Sequence, residues 1–145
     1  MDTFDSLSIA DNALTDKLPT LKAWALHYAA LNCQVLPLWW LKAPGVCACS
    51  EGKDCTQGPG KHPLTSNGLL DATRTPAQVE VWWSAWPQAH IGIRTGKASG
   101  FDALDIDTKN NEGPAALAAF VAEHGPLPAT VEATTGSGGT RYRLR

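Results

Sequence analysis

No stretch of the 145 residues approaches the run of roughly 20 apolar residues that spans a bilayer, so no membrane helix is expected. The first sixteen residues, MDTFDSLSIADNALTD, contain no basic side chain and carry Asp2, Asp5, Asp11 and Asp16. Without a cationic start and an apolar core they are no secretory signal. A cytoplasmic chain at reducing potential is expected, with residues 1–19 as a flexible acidic leader. There is no internal repeat and no low-complexity segment. A strongly basic balance is also lacking: twelve basic residues face fourteen acidic ones, for a net charge of −2. Setting the four leader aspartates aside leaves twelve basic against ten acidic (fourteen less four), which permits a polyanionic partner without pointing to one.

What is present argues for a folded domain. Apolar residues make up 43% of the chain and six are tryptophan, enough for a core rather than a disordered tail. Leu21, Trp24, Ala25, Tyr28 and Leu31 recur at helical spacing and predict an amphipathic helix over 20–32. CQVLPL then reads as a short buried strand. Thr75, Pro76 and Gln78 form a helix-start signature, a capping box with proline at the first helical position. That helix carries Val79, Trp82, Trp83 and Trp86 and stops near Pro87. HIGIRTG and FDALDID read as strands, 114–124 as a helix ending at Gly125-Pro126, and TVEATTGSGGTRYRL as strand, glycine turn and strand. Strands alternating with helices give an α/β (α+β) domain.

Between the first strand and the tryptophan helix lies a loop, residues 44–63, rich in cysteine and glycine. It places Cys47, Cys49, Cys55 and His62 in the order C-x-C-x5-C-x6-H. Thiolates and imidazole are the ligands of tetrahedral zinc, and a loop that cannot bury apolar groups gains its shape from a metal. The spacing is not that of the common C-x2-C pairs. A disulfide is disfavoured in a reducing compartment, and a catalytic cysteine would need a neighbouring base. GPGK is no phosphate-binding P-loop: Cys55 stands where its first glycine belongs and His62 where Ser or Thr must follow the lysine. Cys33, at a helix–strand junction, reads as a small buried apolar residue, and His90 and His124 as surface residues.

In FDALDID, Asp105 and Asp107 are two residues apart at a strand end, and period-two alternation sends both carboxylates to one side. Two like charges there repel unless a cation lies between them, and hard ions such as Mg2+ take oxygen ligands while keeping sites for phosphate. The other reading is a pair of solvated acids. Asp102 shares neither the parity nor the strand end. Lys109 reads as a phosphate contact or as a solvated loop lysine. The glycines of TTGSGG let the backbone approach a ligand and aim its N–H groups at an anion, or simply make a tight hairpin.

Together VLPLWW, GKHP, WWSAWPQAHIGIRTG, LDID and TTGSGG occur in an order that resembles the bifunctional DNA primase/polymerase N-terminal domain, the prim-pol branch of the archaeo-eukaryotic primases found in plasmids, phages and prophages. The similarity runs over residues 20–143, within a domain read as 20–145. It implies an RRM-like sheet with flanking helices, on which Asp105 and Asp107 bind Mg2+ or Mn2+ for template-directed nucleotidyl transfer. It also implies that Ser137, Gly138 and Gly139 face the triphosphate of an incoming nucleotide, and that Arg94 contacts template or phosphate. The cysteine loop resembles the structural zinc insertion of some members. The implied partners are DNA template and primer, nucleoside triphosphates and a replicative helicase. Arg141 stands where the family carries a histidine that contacts phosphate, and arginine is itself a competent phosphate ligand. The family's third carboxylate lies on a later strand, so a C-terminally truncated domain that holds a second ion poorly is expected. The alternative expectation is an inactive zinc-containing module that binds nucleic acid or a replication partner.

Overall fold

The computed structural model describes residues 19–108, 112–136 and 138–144. The acidic leader, Lys109 and Ser137 lie outside the described residues, apart from Pro19 at the leader's end. The elements run α1 (Leu21–Ala30), β1 (Gln34–Leu38), β2 (Leu41–Ala43), β3 (Val46–Cys47), α2 (Pro76–Ala85), β4 (His90–Arg94), β5 (Asp102–Ile106), α3 (Glu112–His124), β6 (Glu132–Thr134) and β7 (Thr140–Leu144). Single 3-10 turns at Gly52–Asp54 and Gly68–Asp71 interrupt the segment between β3 and α2. Helices with small antiparallel sheets make the class α+β.

The first half is built around α1, α2 and the antiparallel pair β1–β4. Thr20 caps α1, its hydroxyl accepting from the Ala23 N–H at 3.2 Å. The buried face of that helix is Ala25 and Ala29, while Trp24 and Leu31 are 42% and 51% exposed. Periodicity alone favours the bulky residues, but the small ones let α1 approach its neighbours closely. Val35, Val79, Trp82, Trp83 and Ala89 complete this core, and the Trp83 indole N–H donates to the Ala89 carbonyl at 3.0 Å. The start of α2 differs from the expected capping box. Thr75 occupies the N-cap with Pro76 after it, but its side chain makes no cap hydrogen bond. Its hydroxyl instead accepts from the Thr73 hydroxyl, which in turn receives the Thr75 N–H.

The second half is a three-stranded antiparallel sheet in the order β5-β7-β6. Register pairs Leu104 with Tyr142 and Asp105 with Arg141, so residues of opposite parity line opposite faces. Leu104, Ile106, Leu144 and Tyr142 turn toward α3, around cavities of about 460 and 470 Å3. Gly125, at φ +89, ends α3 as the sequence predicts. The bridge Gly96↔Phe101 connects the sheets. Phe101 packs on the first core while the Arg143 guanidinium lies 4.4 Å above its ring. Ser99 secures the intervening turn, accepting from the Gln34 N–H at 2.8 Å and donating to the Arg94 carbonyl at 2.5 Å.

Candidate functional site

Two constellations stand out, and the cysteine loop is the tighter. The β2–β3 hairpin, which the sequence reading missed, frames it. The bridge Leu38↔Pro63, with the Ala48 N–H donating to the Trp40 carbonyl at 2.8 Å, closes the loop on β1. Cys47, Cys49 and Cys55 are buried and His62 half-buried, and their ligand atoms all lie within 4.8 Å of one another. His62 Nε2 is 3.5 Å from both Cys47 Sγ and Cys55 Sγ. Bonds of about 2.3 Å to sulfur and about 2.0 Å to nitrogen at a tetrahedral ion place those atoms about 3.5 Å apart. The donor set and its spacing therefore fit structural zinc. Cys33, buried outside this cluster, is the small core residue expected.

Burial, the largest influence on Cys47, would raise its thiol. Hydrogen bonds from the Cys49 and Gly60 backbone N–H groups, and from the His62 and Cys49 side chains, outweigh it and lower the value to about 6. At Cys55 burial wins: desolvation, reinforced by the neighbouring Cys49 and Cys47 thiols, pushes the group up to about 11 against a hydrogen bond from the Gln57 backbone. Cys47 is the readier ligand, and a cation at the centre would remove the mutual repulsion that disfavours the other thiolates. His90, read from sequence as a bare surface residue, has its Nδ1 3.0 Å from the Gly60 carbonyl and so ties β4 to the loop. Its position at a strand start gives no signal of that contact.

The second constellation sits at the C-terminal end of β5. Asp105 is exposed within the strand, and Asp107, also exposed, immediately follows Ile106, the last strand residue. Arg141, directly opposite Asp105 on β7, places Nη2 2.5 Å from Asp105 Oδ2. Both side chains are about half exposed, at 54% for Arg141 and 49% for Asp105. This pairing was not read from the sequence, because it depends on the register between two strands separated by α3.

The glycine segment forms a hairpin turn between β6 and β7. The Gly138 N–H donates to the Thr135 carbonyl at 2.9 Å, and the Thr135 N–H to the Gly139 carbonyl at 2.8 Å. A Cβ on Gly139 would overlap the Ile106 carbonyl oxygen, and one on Gly113 would overlap that of Asp107. Both glycines are thus pressed against the backbone that carries the carboxylates. Arg94 lies elsewhere, at the end of β4 opposite Gln34, and its guanidinium meets no described side chain by ion pair or hydrogen bond. Asp102 falls on the face opposite Asp105, as its parity predicts. His124, at the end of α3, lies 3.7 Å from the Glu123 carboxylate and packs on Phe120.

No described helix is long and apolar enough to cross a membrane. No curated protein and no solved structure matches the chain. The family model for the bifunctional DNA primase/polymerase N-terminal domain matches residues 25–145, which takes in α1, the zinc-type loop, the aspartate strand and the glycine hairpin. Its function is accordingly primase/polymerase-related, with DNA and nucleotides as the ligands that class implies. The chain belongs to the family of bifunctional DNA primase/polymerase N-terminal domains.

Proposed function

We propose that this chain carries out metal-dependent, template-directed nucleotidyl transfer in the replication of a plasmid, phage or prophage, in the cytoplasm and beside a replicative helicase. The observation that carries the reading is the meeting of Asp105, Arg141 and the glycine hairpin at one strand end. Alternation carried one step past Ile106 turns Asp107 to the face that bears Asp105, away from α3. A helix on one face and carboxylates on the other is the layout an RRM-like active-site sheet requires.

The donor chemistry of Asp105 and Asp107 suits Mg2+ or Mn2+, hard ions that take carboxylate oxygens. When bound there, such an ion supplies charge neutralisation for phosphoryl chemistry. The chain's own residues do the rest. Asp105 and Asp107 fix the position of the cation. The turn through Ser137, Gly138 and Gly139 faces the triphosphate, and Arg141 adds a bidentate donor beside it. Lys109 and Arg94 contribute cationic contacts to phosphate or template. The Cys47, Cys49, Cys55 and His62 cluster holds structural zinc at the rim, apart from the chemistry.

One observation favours a second reading, a module that binds nucleic acid or a replication partner without catalysis: Asp105 is already engaged by Arg141. That engagement is weak. An ion pair this exposed contributes about 0.2–1 kcal/mol, too little to keep a divalent cation out. Purified chain given primed template, deoxynucleoside triphosphates and Mn2+ or Mg2+ should extend the primer, and the Asp105→Ala/Asp107→Ala double variant should not. Folded wild-type protein that binds DNA but never extends would leave the second reading in place.

A further inference from the structure

We infer that the cavity between α2 and the segment preceding it captures an unpaired base of single-stranded DNA. This inference rests on the reading of the chain as one that engages a DNA template, but it uses none of the residues assigned to nucleotidyl transfer. The cavity holds about 570 Å3, ample for a nucleoside, and lies between Leu64 and Trp86 in the sequence. Trp82 in α2 and Trp86 at its C-cap line it, four residues apart, with the rest of each ring packed on the first core. Trp82 is nearly buried and Trp86 half-buried. Neither indole N–H donates to a described residue, whereas the indole of the neighbouring Trp83 is satisfied inside the core.

Polar groups complete the lining. Gln78 and Ser66 line the cavity, and neither side chain has a hydrogen-bond partner among the described residues. Asp71 presents a carboxylate that is itself fixed, accepting from the Asn67 N–H at 2.9 Å and from Asn67 Nδ2 at 3.0 Å. An aromatic pair with an amide, a hydroxyl and a carboxylate matches a flat, neutral ligand bearing both donors and acceptors.

The charges select which part of a nucleotide enters. No described lysine or arginine lines the cavity, and Asp71 would repel a phosphate. The triphosphate of a free nucleotide is therefore disfavoured, and the base enters with its phosphates outside. Arg74, exposed and without a described partner, lies between the lining residues Thr73 and Thr75, where it can meet a strand's backbone. A base in a duplex has its faces and edges covered, so the site prefers a single strand.

The test is binding of a short labelled oligodeoxynucleotide by anisotropy, with the same sequence as a duplex and free deoxynucleosides as competitors. Trp86→Ala should weaken the single strand about tenfold, as loss of one stacking face does. Gln78→Ala, at an exposed helix position where alanine is favourable, should weaken it about threefold without disturbing the fold. Both should leave the salt dependence unchanged, whereas Arg74→Ala should lower its slope by about one. The Trp86→Ala and Gln78→Ala losses are read by binding alone, without divalent cation or triphosphate, so they stand or fall independently of primer extension, which separates this inference from the catalytic reading. Unchanged affinity in folded Gln78→Ala and Trp86→Ala proteins, equal binding of the duplex, or free nucleosides competing as well as the strand would each overturn it.

Discussion

Asp105 and Arg141 stand directly opposite each other on β5 and β7 and share an ion pair in which Arg141 Nη2 lies 2.5 Å from Asp105 Oδ2. The arginine thus serves as counter-charge to the very carboxylate assigned to the cation. On the proposed reading, a cation that binds Asp105 would release Arg141 toward a ligand at the glycine hairpin.

Removing that arginine should therefore act in opposite directions on two ligands. In the Arg141→Ala protein, Mn2+ should bind about twofold to fivefold more tightly, because an exposed pair no longer competes. Nucleoside triphosphate should bind about tenfold more weakly, for want of a charged hydrogen bond. Titrating each ligand separately checks both signs, and weakening of both would show that Arg141 supports the carboxylates instead of competing for them.

The cysteine loop should carry about one zinc per chain by elemental analysis. Cys55→Ser should lower both the zinc content and the midpoint of thermal unfolding. A strong chelator should do the same to wild type, because the loop between β1 and α2 loses its central crosslink. A metal-free chain of unchanged stability would remove zinc from the account.

Gly139→Ala should shift the end of β5, since the new methyl overlaps the Ile106 carbonyl oxygen, a backbone atom that cannot swing aside. A cost of about 1–3 kcal/mol is expected from such overpacking, read from chemical denaturation. Primer extension should fall further than stability alone explains, because the displaced backbone leads directly into Asp107.

Acid stability offers a separate check. The Asn67 side chain, with its backbone N–H, holds the Asp71 carboxyl below its usual 3.8. A carboxyl whose value is lowered by folding contributes stability that is complete above the unfolded value and lost as pH falls through the folded one. Wild-type protein should lose stability on acidification below about pH 4, and Asp71→Asn should lose less over the same interval. Parallel acid limbs for the two proteins would refute the link.

Local chemistry was legible in the sequence wherever neighbours along the chain decide the outcome. The zinc-type ligands lie within sixteen residues, so their residue types and closeness along the chain pointed to the cluster although the spacing is not a common one. Val79, Trp82 and Trp83 sit inward because helical periodicity required it, and Gly125 ends α3 because the chain needs a positive φ there. What escaped depends on partners distant in sequence. The Asp105–Arg141 pair needs a β5–β7 register, and the His90–Gly60 contact joins a strand to a loop thirty residues earlier. At Thr75 a local rule failed because the Thr73 hydroxyl, two residues away, competed for the same side chain.

The difference in chain separation also bears on the order of assembly. Cys47 and His62 are 15 positions apart, whereas Asp105 and Arg141 are 36 apart with a helix between them. Closing the shorter loop sacrifices less chain freedom, so the Cys47–His62 contact is the cheaper one to form first. A nascent chain leaving the ribosome presents Cys47, Cys49, Cys55 and His62 before either partner of the Asp105–Arg141 pair has emerged, so a metal that suits this cluster could be taken up before the carboxylate-bearing sheet is complete.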